Sequence, residues 1–157
     1  MNMTGLSPRN EERLQVKMSS HDHFRKLENF YLSAEINKFY NPTIKVTEKA
    51  SEITIEVDSR FFHSGKSVHG SVYFKLLDDA CYFACQSLNS QHFLVTSSFN
   101  IQYIAPVTSG RLTVKAEVTA ATRNVSLARG DVFDSRGRLV ATGNGSFMKS
   151  HLPLDEE

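Results

Sequence analysis

At 157 residues and a net charge of +1, the chain is long enough for one sizeable core and is close to neutral. Its charges are spread along the sequence, so nothing marks a basic nucleic-acid surface or a cationic membrane-binding face, and neither partner is expected. Cys81 and Cys85 have no framework of further cysteines around them, and Met1 to Ser20 lacks the apolar segment of a secretory signal, so a reducing, cytoplasmic setting is expected.

Residues 1–20 are polar, mixed in charge and poor in large apolar side chains. They read as a flexible arm with room for a short helix over Glu11–Met18. His21 and His23 have the spacing of a metal pair, but a bare His-x-His in a polar segment is ordinarily solvated. From His23 to Phe39, Phe24, Leu27, Phe30, Tyr31, Ala34 and Ile36 recur at helical spacing, which predicts an amphipathic helix ended by Asn41-Pro42. Ile44 and Val46, then Ile53, Ile55 and Val57, alternate with polar residues on either side of Lys49-Ala50-Ser51, the pattern of a hairpin.

Every residue from Val72 to Cys85 is apolar or aromatic except Lys75, Asp78 and Asp79. The run has no Pro or Gly and is too long for an ordinary strand, so it predicts a buried helix of about 18 residues. The charges inside it and the polar residues at both ends exclude a membrane span. A carboxylate in the middle of a buried helix is costly unless something pairs with it or uses it. Asp79 has Lys75 four residues before it, the spacing of a helix-face pair; Asp78 is left as the residue to explain.

Four further strands follow. Val95, Phe99, Ile101 and Tyr103 alternate with polar residues; so do Leu112, Val114, Ala116 and Val118 after the turn at Pro106–Gly110. A turn near Arg123-Asn124 leads to Ser126–Phe133, and Asp134-Ser-Arg-Gly137 is a hairpin turn before Leu139–Met148. His151 to Glu157 reads as a loose acidic tail. Short turns make the strands antiparallel neighbours. The simplest fold for about six strands and one very apolar helix wraps the sheet around that helix. This gives an α+β domain over residues 21–150, with an arm over 1–20 and a tail over 151–157.

No Gly-rich phosphate loop, dinucleotide fingerprint or metal motif is present. Chemistry can instead be built where the central helix begins. Its first N–H groups lack internal partners and carry partial positive charge, and Gly70 has no side chain to keep a substrate oxygen away. That suits an oxyanion site. Asp78 lies eight residues further, about 12 Å along a helix, too far to act on a carbonyl bound at its own Gly70. A second, antiparallel copy of the helix in a symmetric dimer could bring it there.

The segment Val68-His-Gly-Ser-Val-Tyr-Phe-Lys-Leu-Leu-Asp-Asp-Ala80 resembles the HGG…LxD signature of hotdog-fold acyl-CoA thioesterases. Its nearest branch is the phenylacetate-pathway type within the hydroxybenzoyl-CoA thioesterase superfamily. Asn100-Ile-Gln-Tyr103-Ile-Ala-Pro106 resembles the strand of that branch ending in Tyr-x-x-Pro. The resemblance spans about Thr43 to Lys149 and implies a six-stranded antiparallel sheet around one central helix, here with an extra N-terminal helix. It also implies edge-to-edge dimers, or dimers of dimers, with active sites at the dimer interface.

Carried over by position, it makes Asp78 the general base or nucleophile, Gly70 the oxyanion donor, and Thr96 the hydroxyl that holds the water or the aspartate. His63 stands where the branch commonly has an Asn that orients substrate or water, a catalytic task an imidazole can take by donating a hydrogen bond, and Ser71 stands where it has the second glycine. His69, Ser71 and Tyr82 are the expected substrate-binding residues, and Arg123 is a candidate contact for CoA phosphate. No metal is needed, because thiolate is a good leaving group, and no cofactor is expected beyond the CoA of the substrate. The expected activity is hydrolysis of an acyl-CoA to free acid and CoA. The alternatives are a non-catalytic acyl-CoA-binding module of the same fold and, less favoured by the motifs, a hotdog hydratase or dehydratase.

Overall fold

The computed structural model describes residues 8–154. Helix α1 (Pro8–Ser33) and short helix α2 (Glu35–Tyr40) precede β1 (Thr43–Thr47) and β2 (Ala50–Glu56). A loop with one 3-10 turn leads to α3 (Gly70–Gln86), followed by β3 (His92–Tyr103), β4 (Arg111–Ala121), β5 (Val125–Phe133) and β6 (Leu139–Pro153). The six strands form one sheet in the order β1-β2-β4-β5-β6-β3, with every adjacent pair antiparallel. The expected α+β arrangement is the one observed: α3 lies in the curve of the sheet and touches all six strands.

The helix is held by its apolar faces and by both ends. Leu76, Leu77, Ala80, Cys81, Ala84 and Cys85 are each at most 1% exposed. Close approach of helix to sheet depends on Gly130 of β5, where a Cβ would stand 3.1 Å from Leu77 and 3.2 Å from Cys81. At the C-terminal end the fully buried Gln86 donates to the carbonyls of Asn89 and His92 and accepts from the Leu94 N–H at 2.9 Å. This side-chain amide fixes the level at which β3 runs beside α3, and so which β3 residue meets Asp78.

Three expectations need correction. The helix expected from His23 begins at Pro8, so most of the anticipated arm is helical; Met1 to Ser7 lie outside the described residues. It is also two helices, parted at Ala34, whose extended ψ of 131° breaks the turn. The tail expected from His151 is not loose at its start. Strand β6 runs to Pro153, and Leu154 is 1% exposed, clustered with Leu27 and Val46, with its N–H on the Gln91 carbonyl. Burying a leucine this fully contributes about 1.5–3 kcal/mol, enough to hold a short terminal segment. Asp155 to Glu157 lie outside the described residues.

The N-terminal layer is docked by polar contacts as well. Glu28 accepts the Val46 N–H at 2.8 Å, and the Nε2–H of His23 donates to the Gln86 carbonyl at 3.1 Å. His23 thus serves helix docking rather than the solvated arm expected of it. Among the described residues no helix is long and apolar enough to cross a membrane.

Candidate active site

The two aspartates of α3 point to different surroundings. Asp79 turns toward the N-terminal helices and pairs with Lys75, whose side chain is 14% exposed and whose Nζ lies 5.5 Å from the Tyr31 ring and 5.3 Å from that of Tyr40. Its charge is met by a cation inside an aromatic cage. Asp78, half-buried, turns toward β3, where the Thr96 hydroxyl donates to its Oδ1 at 2.9 Å. Among the described residues nothing bonds its Oδ2.

Burial is the main cause holding the Asp78 carboxyl above its ordinary value; the Thr96 hydrogen bond pulls it back, the neighbouring Asp79 raises it and Lys75 lowers it. The result is a carboxylate with one oxygen steadied, one free, and more basicity than a surface aspartate. Tyr82, one turn further along, packs against Phe83 and Phe147, and burial pushes its hydroxyl up to about 12. It stands near Asp78 as a neutral wall.

At the other end of α3 the chain builds an N-terminus with one amide to spare. The His69 ring accepts the Ser71 N–H through Nδ1 at 3.0 Å, with the Ser71 hydroxyl 2.8 Å from the same nitrogen, and the Val72 N–H bonds the His69 carbonyl. Nδ1 is therefore an acceptor, and His69 and Ser71 act on each other as a cap. Among the described residues nothing accepts the Gly70 N–H, which opens on a cleft of about 290 Å³ lined by His63, Gly70, Tyr73, Tyr103 and Pro106. The Tyr103 hydroxyl donates to the Gly70 carbonyl at 3.1 Å and would lie 3.0 Å from a Cβ at this position. Tyr103 belongs to the Tyr-x-x-Pro motif, but nothing in that motif signals that it backs Gly70.

His63 reaches this cleft, but its ring is closed on its own turn. Nδ1 accepts the Gly65 N–H at 2.9 Å, and Nε2 meets the Ser67 hydroxyl at 2.8 Å. Arg123 lies with neither group; it stands in the β4–β5 turn, in a cleft shared with Cys85 and Leu88 beyond the C-terminal end of α3.

A single chain therefore brings Asp78, Thr96 and Tyr82 together, and separately His63, His69, Gly70 and Ser71. Eight helical residues, about 12 Å, divide the two groups. Strand β3 sits at the edge of the sheet, pairs only with β6 among the described residues, and exposes Val95 and Tyr103.

Several solved structures share this fold. The PaaI protein of the phenylacetic acid degradation operon of E. coli is 21% identical, with a TM-score of 0.78, over 85% of this chain and 97% of that one. A thioesterase family protein of Silicibacter pomeroyi is 20% identical, with a TM-score of 0.74, over 81% of this chain and 97% of that one. A thioesterase of Haemophilus influenzae is 20% identical, with a TM-score of 0.73, over 85% of this chain and 93% of that one. At these identities the likeness is one of fold. No curated protein sequence matches the chain significantly. Residues 65–141 match the thioesterase superfamily, a span that takes in all of α3 and every candidate site residue except His63. The chain has the hotdog fold of thioesterase-family structures, and its residues 65–141 match the thioesterase superfamily.

Proposed function

We propose that the protein hydrolyses an acyl-CoA thioester to a free acid and CoA in a homodimer, with Asp78 of one protomer acting on a carbonyl held at Gly70 of the other. The observation that carries this reading is the hydrogen bond from Thr96 to a half-buried Asp78 whose neighbouring lysine is committed to Asp79. A carboxylate left without a cation in a partly buried place is expensive to keep, and general-base or nucleophilic work gives a reason to keep it.

In the base route, Asp78 Oδ2 takes a proton from water while the hydroxide forms a bond to the thioester carbon. The carbonyl oxygen becomes an oxyanion facing the Gly70 N–H and the helix dipole. Collapse breaks the carbon–sulfur bond, and the departing thiolate recovers the proton from Asp78. In the nucleophile route, Asp78 attacks the carbonyl carbon, expels the thiolate and forms a mixed anhydride, which water then opens to the acid. Both routes need the same neighbours.

The need for a second protomer follows from the separation of Asp78 and Gly70 along one helix. The open β3 edge supplies a means, since two such edges pair antiparallel about a two-fold axis and set the two α3 helices side by side. A dimer of dimers and a cytoplasmic location belong to the same proposal; two free, buried cysteines fit a reducing compartment. His63, with both ring nitrogens engaged, is assigned to shaping the loop before α3.

The test is release of free CoA from aromatic, short-chain and medium-chain acyl-CoA by wild type and Asp78→Ala. Turnover of at least one substrate that falls about 10²–10⁴-fold in the variant supports the reading. Binding of acyl-CoA without turnover favours the ligand-binding alternative, and near-wild-type turnover by the variant removes the mechanism.

A further inference from the structure

The loop that leads into α3 commits nearly every hydrogen-bond donor it has. The His63 N–H bonds the Ser67 carbonyl at 3.0 Å, and the Lys66 N–H bonds the His63 carbonyl at 2.9 Å. The Val68 N–H goes to the Val107 carbonyl at 2.9 Å and the His69 N–H to the Phe61 carbonyl at 2.8 Å. Tyr103 gives its hydroxyl to the Gly70 carbonyl. On the loop side of the cleft at the start of α3, the Gly70 N–H and the Ser67 hydroxyl are left without an acceptor among the described residues.

Ser67 keeps its proton because of what His63 does. The Gly65 N–H occupies the lone pair of His63 Nδ1 at 2.9 Å, so the proton of the neutral ring sits on Nε2. That Nε2–H donates to the Ser67 Oγ at 2.8 Å. The same tautomer rules out a serine nucleophile, because an Nε2 that already carries a proton cannot take the one on Ser67. Ser67 is only 8% exposed, and it lines the cleft of about 290 Å³ together with Gly70. A buried hydroxyl with an idle proton is costly to keep, and an oxygen bound in the cleft would accept that proton.

Resting on the acyl-thioester reading above, we propose that the Ser67 hydroxyl is a second donor to the thioester carbonyl oxygen, beside the Gly70 N–H, and that His63 orients it. As the carbonyl carbon becomes tetrahedral its oxygen gains negative charge, and both hydrogen bonds strengthen most there. Ser67 therefore acts on kcat more than on KM. It is the catalytic residue of the pair, and His63 is a positioning residue that works through it. Tyr73 borders the same cleft, but its hydroxyl is sealed from solvent and faces the Val107 backbone, and its ring packs edge-on against Tyr103 with centroids 6.0 Å apart.

The experiment measures kcat and KM on one acyl-CoA for wild type, Ser67→Ala, His63→Ala, His63→Gln, the double variant His63→Ala/Ser67→Ala and Tyr73→Phe, each corrected for folded protein. Ser67→Ala is expected to lower kcat about 10²-fold with KM within about threefold of wild type. The double variant is expected to lose no more than Ser67→Ala alone. His63→Gln, whose amide can accept from Gly65 and donate to Ser67, is expected to recover most of the loss seen in His63→Ala. A kcat for Ser67→Ala within about threefold of wild type would overturn the proposal. So would losses that multiply in the double variant, or a loss that follows Tyr73→Phe in place of Ser67→Ala.

Were wild type to release no CoA from any acyl-CoA, the hydrolase reading would fail by itself. Calorimetric titration with two CoA ligands then still decides the role of Ser67: a ketone in which a methylene replaces the thioester sulfur, and an S-alkyl thioether that lacks the carbonyl. Ser67→Ala is expected to bind the ketone about tenfold more weakly than wild type and the thioether equally well. Equal affinity of the two proteins for the ketone, or equal weakening of both ligands, would overturn the assignment.

Discussion

Asp78 and Asp79 are neighbours on one helix and sit in opposite circumstances. On the Asp79 side the chain has added α1 and α2, walled Lys75 in with Tyr31 and Tyr40, and closed an ion pair that leaves little charge to use. On the Asp78 side it has supplied one hydroxyl and left an oxygen open. A partly buried carboxylate is therefore read by the partners its neighbours have already supplied. A matched charge holds structure together, whereas a charge merely steadied is available for chemistry.

The contrast can be sharpened by removing the one group that steadies Asp78. Thr96→Val keeps the shape of the side chain and deletes its donor. That donor favours the ionised carboxylate, so its loss lets the Asp78 pKa climb further. Because the base must be ionised, the acid limb of the kcat–pH profile is expected to move up, and kcat at neutral pH to fall about tenfold, in line with a hydrogen bond to a charged group. An unmoved limb would mean that Thr96 does not act through Asp78.

A smaller effect should appear in stability. Asp78 is raised in the folded protein above its ordinary 3.8, so folding disfavours its charge. Such a group contributes fully below its unfolded pKa, and that contribution is lost as pH rises through the folded value. Asp78→Asn retains an oxygen for Thr96 and carries no charge. Its Tm is expected to exceed that of wild type by about 2–4 °C at neutral pH, with the gap closing in acid. A lower Tm at neutral pH would show that the charge of Asp78 is compensated after all.

The framework was legible because periodicity speaks where burial is regular. Val72 to Cys85 could only be a covered helix, and the two-residue alternation of Leu112 to Val118 could only be a half-buried strand. The start of α1 was hidden because residues 8–20 carry almost no large apolar side chains, so a helix there leaves no stripe to read. Leu154 was hidden because one leucine among acids cannot announce that Leu27 and Val46 wait for it. At the site, charge spacing alone separated Asp79 from Asp78, and the structure pairs Lys75 with Asp79 as that spacing predicted. That Thr96 lies opposite Asp78 came from the family resemblance; in the fold it depends on Gln86 setting the level of β3. Arg123 was singled out by the resemblance alone; that Lys149 stands beside it was illegible, since only the sheet brings the β4–β5 turn to β6.

Release of CoA from a single acyl-CoA, measured side by side for wild type, Asp78→Asn and Asp79→Asn, puts the contrast between the two carboxylates to its most direct test. A loss of at least about a hundredfold is expected for Asp78→Asn and of less than about tenfold for Asp79→Asn, each corrected for folded protein. Comparable losses in the two variants, or the larger loss in Asp79→Asn, would contradict it.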